Sequence, residues 1–364
     1  MKKIAIFCDG TWNSPTIAEP TSVRKLSQAL INDPARHQQV FYFQGIGSSD
    51  RFDRGLRRWL KKYGGGAFGW GLDGKVKEAY QAIALFYRPG DEIYLFGFSR
   101  GAYTARSVAG MIRKCGIVRD TSEDGINAAF QLYRKRGPEN APDEPHIWAE
   151  RRAVSPDFAT SDDDLKLRQD QSHLVRINYV GVLDTVGARG IPPSVFGPAA
   201  TLWNRQYTFH DMALSSLVKS ARQALALDER RPLFKPATWD NLDDRPQKPG
   251  LNGGRTDPLR PYQQKWFAGN HRIIGGSSQE AQALCAFPLE WVLQGAGGLA
   301  LDPAVPFPPT TADALIDADE IDHSWGVMKR WRSGPKQPWD VHASALERAR
   351  GRTDYQPASL RRFL

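Results

Sequence analysis

The chain alternates short apolar runs with longer stretches in which apolar residues recur every three or four positions. Strand-like runs occur at 3–7, 39–44, 93–96, 174–183 and 264–267. The run at 93–96 is nearly continuous, as suits a strand buried on both faces of a parallel sheet. Helical spacing or strong helix formers mark 22–30, 75–87, 102–115, 214–227 and a stretch from about 279. Strands alternating with helices predict an α/β fold around a mostly parallel sheet.

The remaining segments read as excursions from that sheet. Residues 119–172 are rich in Pro, Asp, Glu and Arg, and the acidic run 162–164 within them reads as solvated. Residues 188–212 and 238–261 are loops rich in proline, with aromatics in the first and glycine and asparagine in the second. A glycine-rich loop at 64–71 lacks the Gly-Lys-Ser/Thr of a P-loop and reads as a tight, mobile loop beside the active site, before the next helix. Between 51 and 63, Phe52, Leu56, Trp59, Leu60 and Tyr63 fall at helical spacing among six lysines and arginines. Such a basic amphipathic helix either packs on a core or lies on an anionic membrane surface. We expect one domain over 1–364, with 119–172, 188–212 and 238–261 as cap or inserted segments.

Composition narrows the class. Hydrophobic content of 41% and charged content of 24% are those of an ordinary globular chain, and no apolar run reaches the about 18 residues of a membrane span. The opening Met-Lys-Lys-Ile-Ala-Ile-Phe meets Cys8 and Asp9 too soon to be a signal peptide. Cytoplasmic residence is therefore the default expectation, and export by a leaderless machine is compatible with it. Cys8, Cys115 and Cys285 are odd in number and widely spaced, with neither a disulfide framework nor a metal spacing. The net charge of +9 is spread along the chain without a nucleic-acid-binding motif, so no nucleic acid partner is expected.

Chemistry enters at Gly97-Phe98-Ser99-Arg100-Gly101, a G-x-S-x-G between a buried strand and a helix. That context is the one in which the motif acts as a nucleophile elbow, with the serine at a helix N-terminus that favours developing negative charge. Ser99 is the candidate nucleophile. A serine nucleophile needs a base and an acid to orient it, in chain order Ser, Asp or Glu, His in α/β hydrolases. Downstream, Asp184 ends one strand-like run and His271 ends another. His210 and His342 are the rival histidines. The loop after the first strand, Asp9-Gly10-Thr11, is placed to supply an oxyanion N–H from Gly10 or Thr11 beside that of Arg100. Asp9 itself is either a turn residue or part of the site.

Several ordered motifs then point the same way: Phe7-Cys-Asp-Gly-Thr-Trp-Asn13, Gly97-Phe-Ser-Arg-Gly-Ala102, Val180-Gly-Val-Leu-Asp-Thr-Val-Gly187, Ala224-Leu-Ala-Leu-Asp-Glu-Arg-Arg231 and Trp266-Phe-Ala-Gly-Asn-His271. Together they resemble the uncharacterised α/β-hydrolase-domain family that includes the catalytic cores of bacterial type VI secretion phospholipase effectors. The resemblance implies an α/β-hydrolase fold and a serine hydrolase acting on ester bonds, with phospholipids the substrates of the best-known branch. Two positions depart from the family pattern. An acidic residue usually stands two places after the histidine, where this chain has Ile273. A histidine often precedes Ala-Leu-Ala-Leu-Asp-Glu, where this chain has Gln223.

The expectation is a serine ester hydrolase of the esterase, lipase or phospholipase kind, acting on a lipid or other apolar ester and needing no metal or organic cofactor. The rival is an inactive hydrolase fold used as a binding or scaffold module, suggested by the two departures.

Overall fold

The computed structural model describes residues 1–10, 19–45, 66–168, 172–187, 213–231, 234–246, 248–278, 281–311, 313, 315 and 331–364. Its centre is a six-stranded sheet in which every pairing is parallel. The strands are β1 (Lys3–Cys8), β2 (Gln38–Phe43), β3 (Glu92–Phe98), β6 (Ile177–Leu183), β7 (Val218–Ala226) and β8 (Tyr262–Phe267). They lie in the order β2-β1-β3-β6-β7-β8. From β1 the chain first moves outward to β2, then returns to place β3 on the other side. The strand order therefore reverses between β1 and β3, and the crevice outside their carboxyl ends is where open α/β sheets bind ligands.

Alternation along the strands builds two cores. Ile4, Ile6 and Cys8 of β1 and Ile93 and Leu95 of β3 face one layer, with α2 (Gly66–Phe86) and α3 (Arg100–Cys115). Ala5, Phe7, Tyr94, Phe96 and Phe98 face the other, with α1 (Ser22–Ala29) and α8 (Gln282–Ala296). Phe7 and Phe96 stack across adjacent strands with ring centroids 4.7 Å apart. Ala102, Ala105 and Ala109 are buried where α3 meets the sheet, their small side chains allowing a close approach. Burial pushes the thiols of Cys8 and Cys115 up to about 12 and that of Cys285 up to about 11, so all three stay protonated at neutral pH.

Four expectations are corrected. The stretch 214–227, rich in Ala, Leu and Arg, is not a helix; its residues 218–226 form β7. Helix propensity amounts to tenths of a kcal/mol per residue, and pairing on both sides with β6 and β8 overrides it. The glycine-rich loop is largely helical, because α2 begins at Gly66 rather than near residue 75. The segment 119–172 contributes α4 (Glu123–Arg134), α5 (Pro145–Val154), α6 (Asp162–Leu167) and a short ribbon of β4 (Phe158–Ala159) and β5 (His173–Leu174). It joins the helical layer instead of capping the sheet's carboxyl edge. Its buried contacts reach the far end of α3, through Cys115 Sγ to Ala129 O and Arg151 Nε to Lys114 O. Segment 238–261 is likewise tied to the start of β8, with Asn252 bonded to both the N–H and the carbonyl of Tyr262.

The acidic run is the fourth correction, since Asp164 is not solvated. It is buried and paired with Arg151 at 2.7 Å and Arg168 at 2.8 Å. Burial alone would raise its pKa, but the two guanidinium groups outweigh that and hold it below the usual carboxylate range. The basic stretch 51–63 and the segment 188–212 lie outside the described residues. Among the described residues, no helix is long and apolar enough to cross a membrane.

Candidate active site

The register of the sheet brings the candidate residues together at its carboxyl edge. Phe98 pairs with Leu183, Leu183 with Ala224, and Ala226 with Phe267, so β3, β6, β7 and β8 end side by side. Ser99 follows β3 and is N-cap of α3. Its N–H donates to Leu183 O at 3.0 Å, which ties it to the strand that delivers Asp184. Asp184 N–H donates in turn to Ala224 O at 2.7 Å.

The turn at Ser99 is tight. Ser99 adopts φ 56°, ψ −120°, and Asp184 has φ 40°. For residues with a Cβ such conformations cost on the order of 1–3 kcal/mol each and persist only where the surroundings impose them. The glycines of the motif are required sterically. A Cβ on Gly101 would lie 2.0 Å from Cys8 O, and one on Gly97 would lie 2.5 Å from Gly101 O. α3 thus begins in backbone contact with the end of β1, with its N-terminus beside the strand-reversal crevice.

Ser99, His271 and Asp184 form one hydrogen-bonded chain. Ser99 Oγ lies 2.9 Å from His271 Nε2, and His271 Nδ1 lies 2.5 Å from Asp184 Oδ2. All three residues are buried. His271 opens the short helix α7 (His271–Ile274), whose N-cap Asn270 accepts from the N–H groups of Arg272 and Ile273. The loop before it is pinned by the end of β7. Gly269 N–H donates to Asp228 Oδ2 at 2.6 Å and His271 N–H donates to Glu229 Oε2 at 3.2 Å. Arg231 holds Glu229 in turn through both its backbone N–H and its guanidinium. The Asp228-Glu229-Arg231 motif, which carried no role in the sequence, is therefore the clamp on the histidine loop.

The imidazole of His271 packs against the rings of Phe98 and Phe234, each with its centroid 4.7 Å away. This burial lowers its pKa below the ordinary histidine value, although the hydrogen bond and charge of Asp184 act the other way. The ring is consequently neutral near pH 7, able to accept a proton at one nitrogen while donating from the other. Burial would push Asp184 up, but Arg332 and then His271 outweigh it and hold the carboxyl well below the usual range.

Arg332 was not legible as a site residue. Its Nη1 donates to Asp184 Oδ1 at 2.6 Å and its Nη2 to Asp184 Oδ2 at 2.9 Å. It is one of 49 lysines and arginines and belongs to no motif, so no signal in the sequence singled it out. Phe234 was missed for the same reason.

The other candidates fall as follows. Asp9 is a structural hub: its carboxylate accepts from Gly10 N–H at 2.6 Å, Thr21 Oγ1 at 2.7 Å and the Tyr42 hydroxyl at 2.6 Å. Gly10 N–H is thereby engaged by Asp9 instead of being presented to an oxyanion. Arg100 is the first residue of α3, next to the serine, and Thr11 lies outside the described residues. His342 caps α9 (Ala343–Gly351) and stacks on Phe267 at 4.3 Å; burial pushes it down to about 3. His210 lies outside the described residues. Gln223 bonds Thr185 Oγ1 and Ala237 O, and Ile273 is buried in a core cluster with Leu225 and Trp266. Neither departure from the family pattern therefore forms part of the Ser–His–Asp chain.

A parallel α/β sheet carrying serine, aspartate and histidine at its carboxyl edge, in that chain order, defines the α/β hydrolases. Within that class the chain belongs to the phospholipase effector Tle1-like catalytic domain family of the type VI secretion system, whose family model matches residues 2–295. A stretch of 241 residues is 30% identical to the uncharacterized protein YEL023C of Saccharomyces cerevisiae, covering 64% of this chain and 32% of that protein. The chain thus spans about a third of that relative's length. Two solved structures are similar at lower identity. One is an uncharacterized protein from Pseudomonas aeruginosa (TM-score 0.43, 15% identical, 84% of this chain and 48% of that one). The other is the Tle1 effector bound to the VgrG spike of the type 6 secretion system (TM-score 0.38, 16% identical, 77% of this chain and 52% of that one).

Proposed function

We propose that this chain is a serine hydrolase that cleaves carboxylic ester bonds of lipids or other apolar acyl compounds. The observation that carries the reading is the hydrogen-bonded chain from Ser99 Oγ through His271 to Asp184, at 2.9 and 2.5 Å. In this reading His271 Nε2 takes the Ser99 hydroxyl proton as Oγ attacks the ester carbonyl. Asp184 holds the Nδ1–H tautomer and stabilises the imidazolium that forms. The N-terminus of α3, which follows Ser99 directly, favours the negative charge that develops on the oxyanion. Losing one oxyanion donor typically costs about 3–4 kcal/mol of transition-state stabilisation. His271 then protonates the departing alkoxide, leaving an acyl-Ser99 ester. Water, deprotonated by the same imidazole, releases the acid and regenerates the serine.

Membership of a phospholipase effector family and the aromatic rings flanking His271 favour a lipid ester over a polar one. An inactive fold used as a binding module was suggested by positions 223 and 273. Gln223 and Ile273 hydrogen-bond none of Ser99, His271 or Asp184 through their side chains, so that reading loses its motive. The test is labelling by a fluorophosphonate probe, which reports an activated serine without knowledge of the substrate. Labelling of the wild type that vanishes in Ser99→Ala is the expected result. A folded wild-type protein that resists the probe would overturn the hydrolase reading.

A further inference from the structure

We propose that Arg332, from chain beyond the family-matched residues 2–295, is a positioning residue of the site that locks the Asp184 carboxylate in the one orientation that serves His271. The inference rests on the serine-hydrolase reading. A carboxylate has about four lone-pair positions, and here four donors meet them. Oδ1 accepts from Ala226 N–H at 3.0 Å and from Arg332 Nη1 at 2.6 Å. Oδ2 accepts from His271 Nδ1 at 2.5 Å and from Arg332 Nη2 at 2.9 Å. Without the fork, the carboxylate would keep one backbone and one imidazole donor, and rotation about its last bond would be far less restricted.

Arg332 is itself held from behind. Its Nη1 also donates to Ala226 O at 3.1 Å and its Nη2 to Phe234 O. Ala226 ends β7, and the ring of Phe234 flanks His271, so one guanidinium joins the acid, a strand end and a wall of the imidazole pocket. The side chain is only 5% exposed. A fork of this kind orients a carboxylate in a way that a lysine point charge cannot.

The cation also acts on the base. The groups facing His271 are Ser99 and Asp184 on its ring nitrogens, Glu229 with its partner Arg231 beneath its backbone, the Phe98 and Phe234 rings, and Arg332 behind Asp184. Arg272, on the same short helix, is turned to Ser277 O. Among these, Arg332 disfavours the imidazolium, whereas Asp184 and Glu229 favour it. Removing Arg332 should thus raise the pH at which His271 titrates, by on the order of one unit for a cation one group removed in a buried site. A contact that only braced the fold would not move that titration.

The experiment follows the His271 ring by NMR titration in the full chain, with His271→Gln to assign the signal, alongside the pH profile of fluorophosphonate labelling. Variants are Arg332→Met, Arg332→Lys and Tyr355→Phe. The last removes another tail contact, the hydroxyl bond to Asp228 Oδ2 at 2.8 Å. Arg332→Met should shift the His271 inflection up by about one pH unit and labelling should follow it. Arg332→Lys should titrate near the wild type yet label about tenfold more slowly on the plateau, having charge without a fork. Tyr355→Phe should leave the inflection in place. The proposal is overturned if Arg332→Met leaves the inflection unmoved. Arg332→Lys labelling at the wild-type rate at every pH also overturns it, and that outcome decides alone should Arg332→Met not fold. Failure of the wild type to label would end the hydrolase reading, and the NMR titration would still decide whether Arg332 acts on His271.

Discussion

Replacing Asp184 with Asn tests stability and chemistry at one position. The carboxylate is fully buried and shares a bidentate ion pair with the nearly buried Arg332. An amide preserves volume and strands the guanidinium charge, and breaking a buried pair in this way costs about 3–5 kcal/mol. With an unfolding entropy of about 2.1 cal/mol/K per residue, a chain of 364 residues loses roughly 4–7 °C of melting temperature. Separately, an Asn NH2 facing Nδ1 selects the wrong imidazole tautomer, a change that costs about 10⁴-fold in rate in a working triad. The two effects can be separated. Asp184→Asn with Arg332→Met removes the stranded charge and should regain most of the stability but none of the labelling. The pH dependence has a definite sign. Because the folded-state pKa of Asp184 is depressed, its contribution is fully present above the unfolded value near 3.9 and is lost as pH falls through the folded value. The gap in stability between wild type and variant should be level from about pH 7 to 8, where His271 is neutral in both, and the Asp184 contribution to it should shrink below about pH 4. Calorimetry and probe labelling read both quantities. An unchanged melting temperature would refute the ion-pair reasoning, and wild-type labelling by the double variant would refute the assignment of Asp184.

Two further outcomes follow from the same geometry. Labelling of Ser99 should rise to a plateau with half-maximum below about pH 6.5, since burial against two phenyl rings lowers the pKa of His271 and only the neutral ring accepts the serine proton; a half-maximum above about pH 7 contradicts it. Gly101→Ala would put a methyl group 2.0 Å from Cys8 O and 2.5 Å from Asp9 O, backbone atoms that cannot swing aside. It should destabilise the protein by about 3 kcal/mol, the upper end of overpacking costs, and a wild-type melting temperature with normal labelling would show that α3 does not approach β1 as described.

Much of the site was legible because each part of it had a local signature. The G-x-S-x-G at 97–101 needed only its flanking strand and helix to be read, and the glycines are there because two backbones nearly touch. Asp184 and His271, whose side chains the fold brings within 2.5 Å, were singled out by asking which acid and which histidine end a strand, a question that chain order can address. The readings that failed were those where a local preference met a global one. Residues 218–226 favour a helix in isolation, yet they are strand β7, flanked by β6 and β8. Asp164 sits in a run that looks solvated, yet two arginines turned inward make it a buried hub. Gly10 looked like an oxyanion donor until the neighbouring carboxylate was seen to hold its N–H.

Chain order and short-range pattern were thus sufficient for the α/β class and the family, and they singled out three residues that the fold joins by hydrogen bonds, because periodicity and turn chemistry act over a few residues. Which charges meet was decided only in three dimensions. Arg332 lies 148 residues from Asp184 along the chain, with no spacing or motif to link them. Nor could the sequence show that Phe98 and Phe234 would pack against the imidazole and set its protonation. Burial and Coulomb interaction depend on distance and solvent exclusion, and those exist only once the sheet has brought its strand ends together.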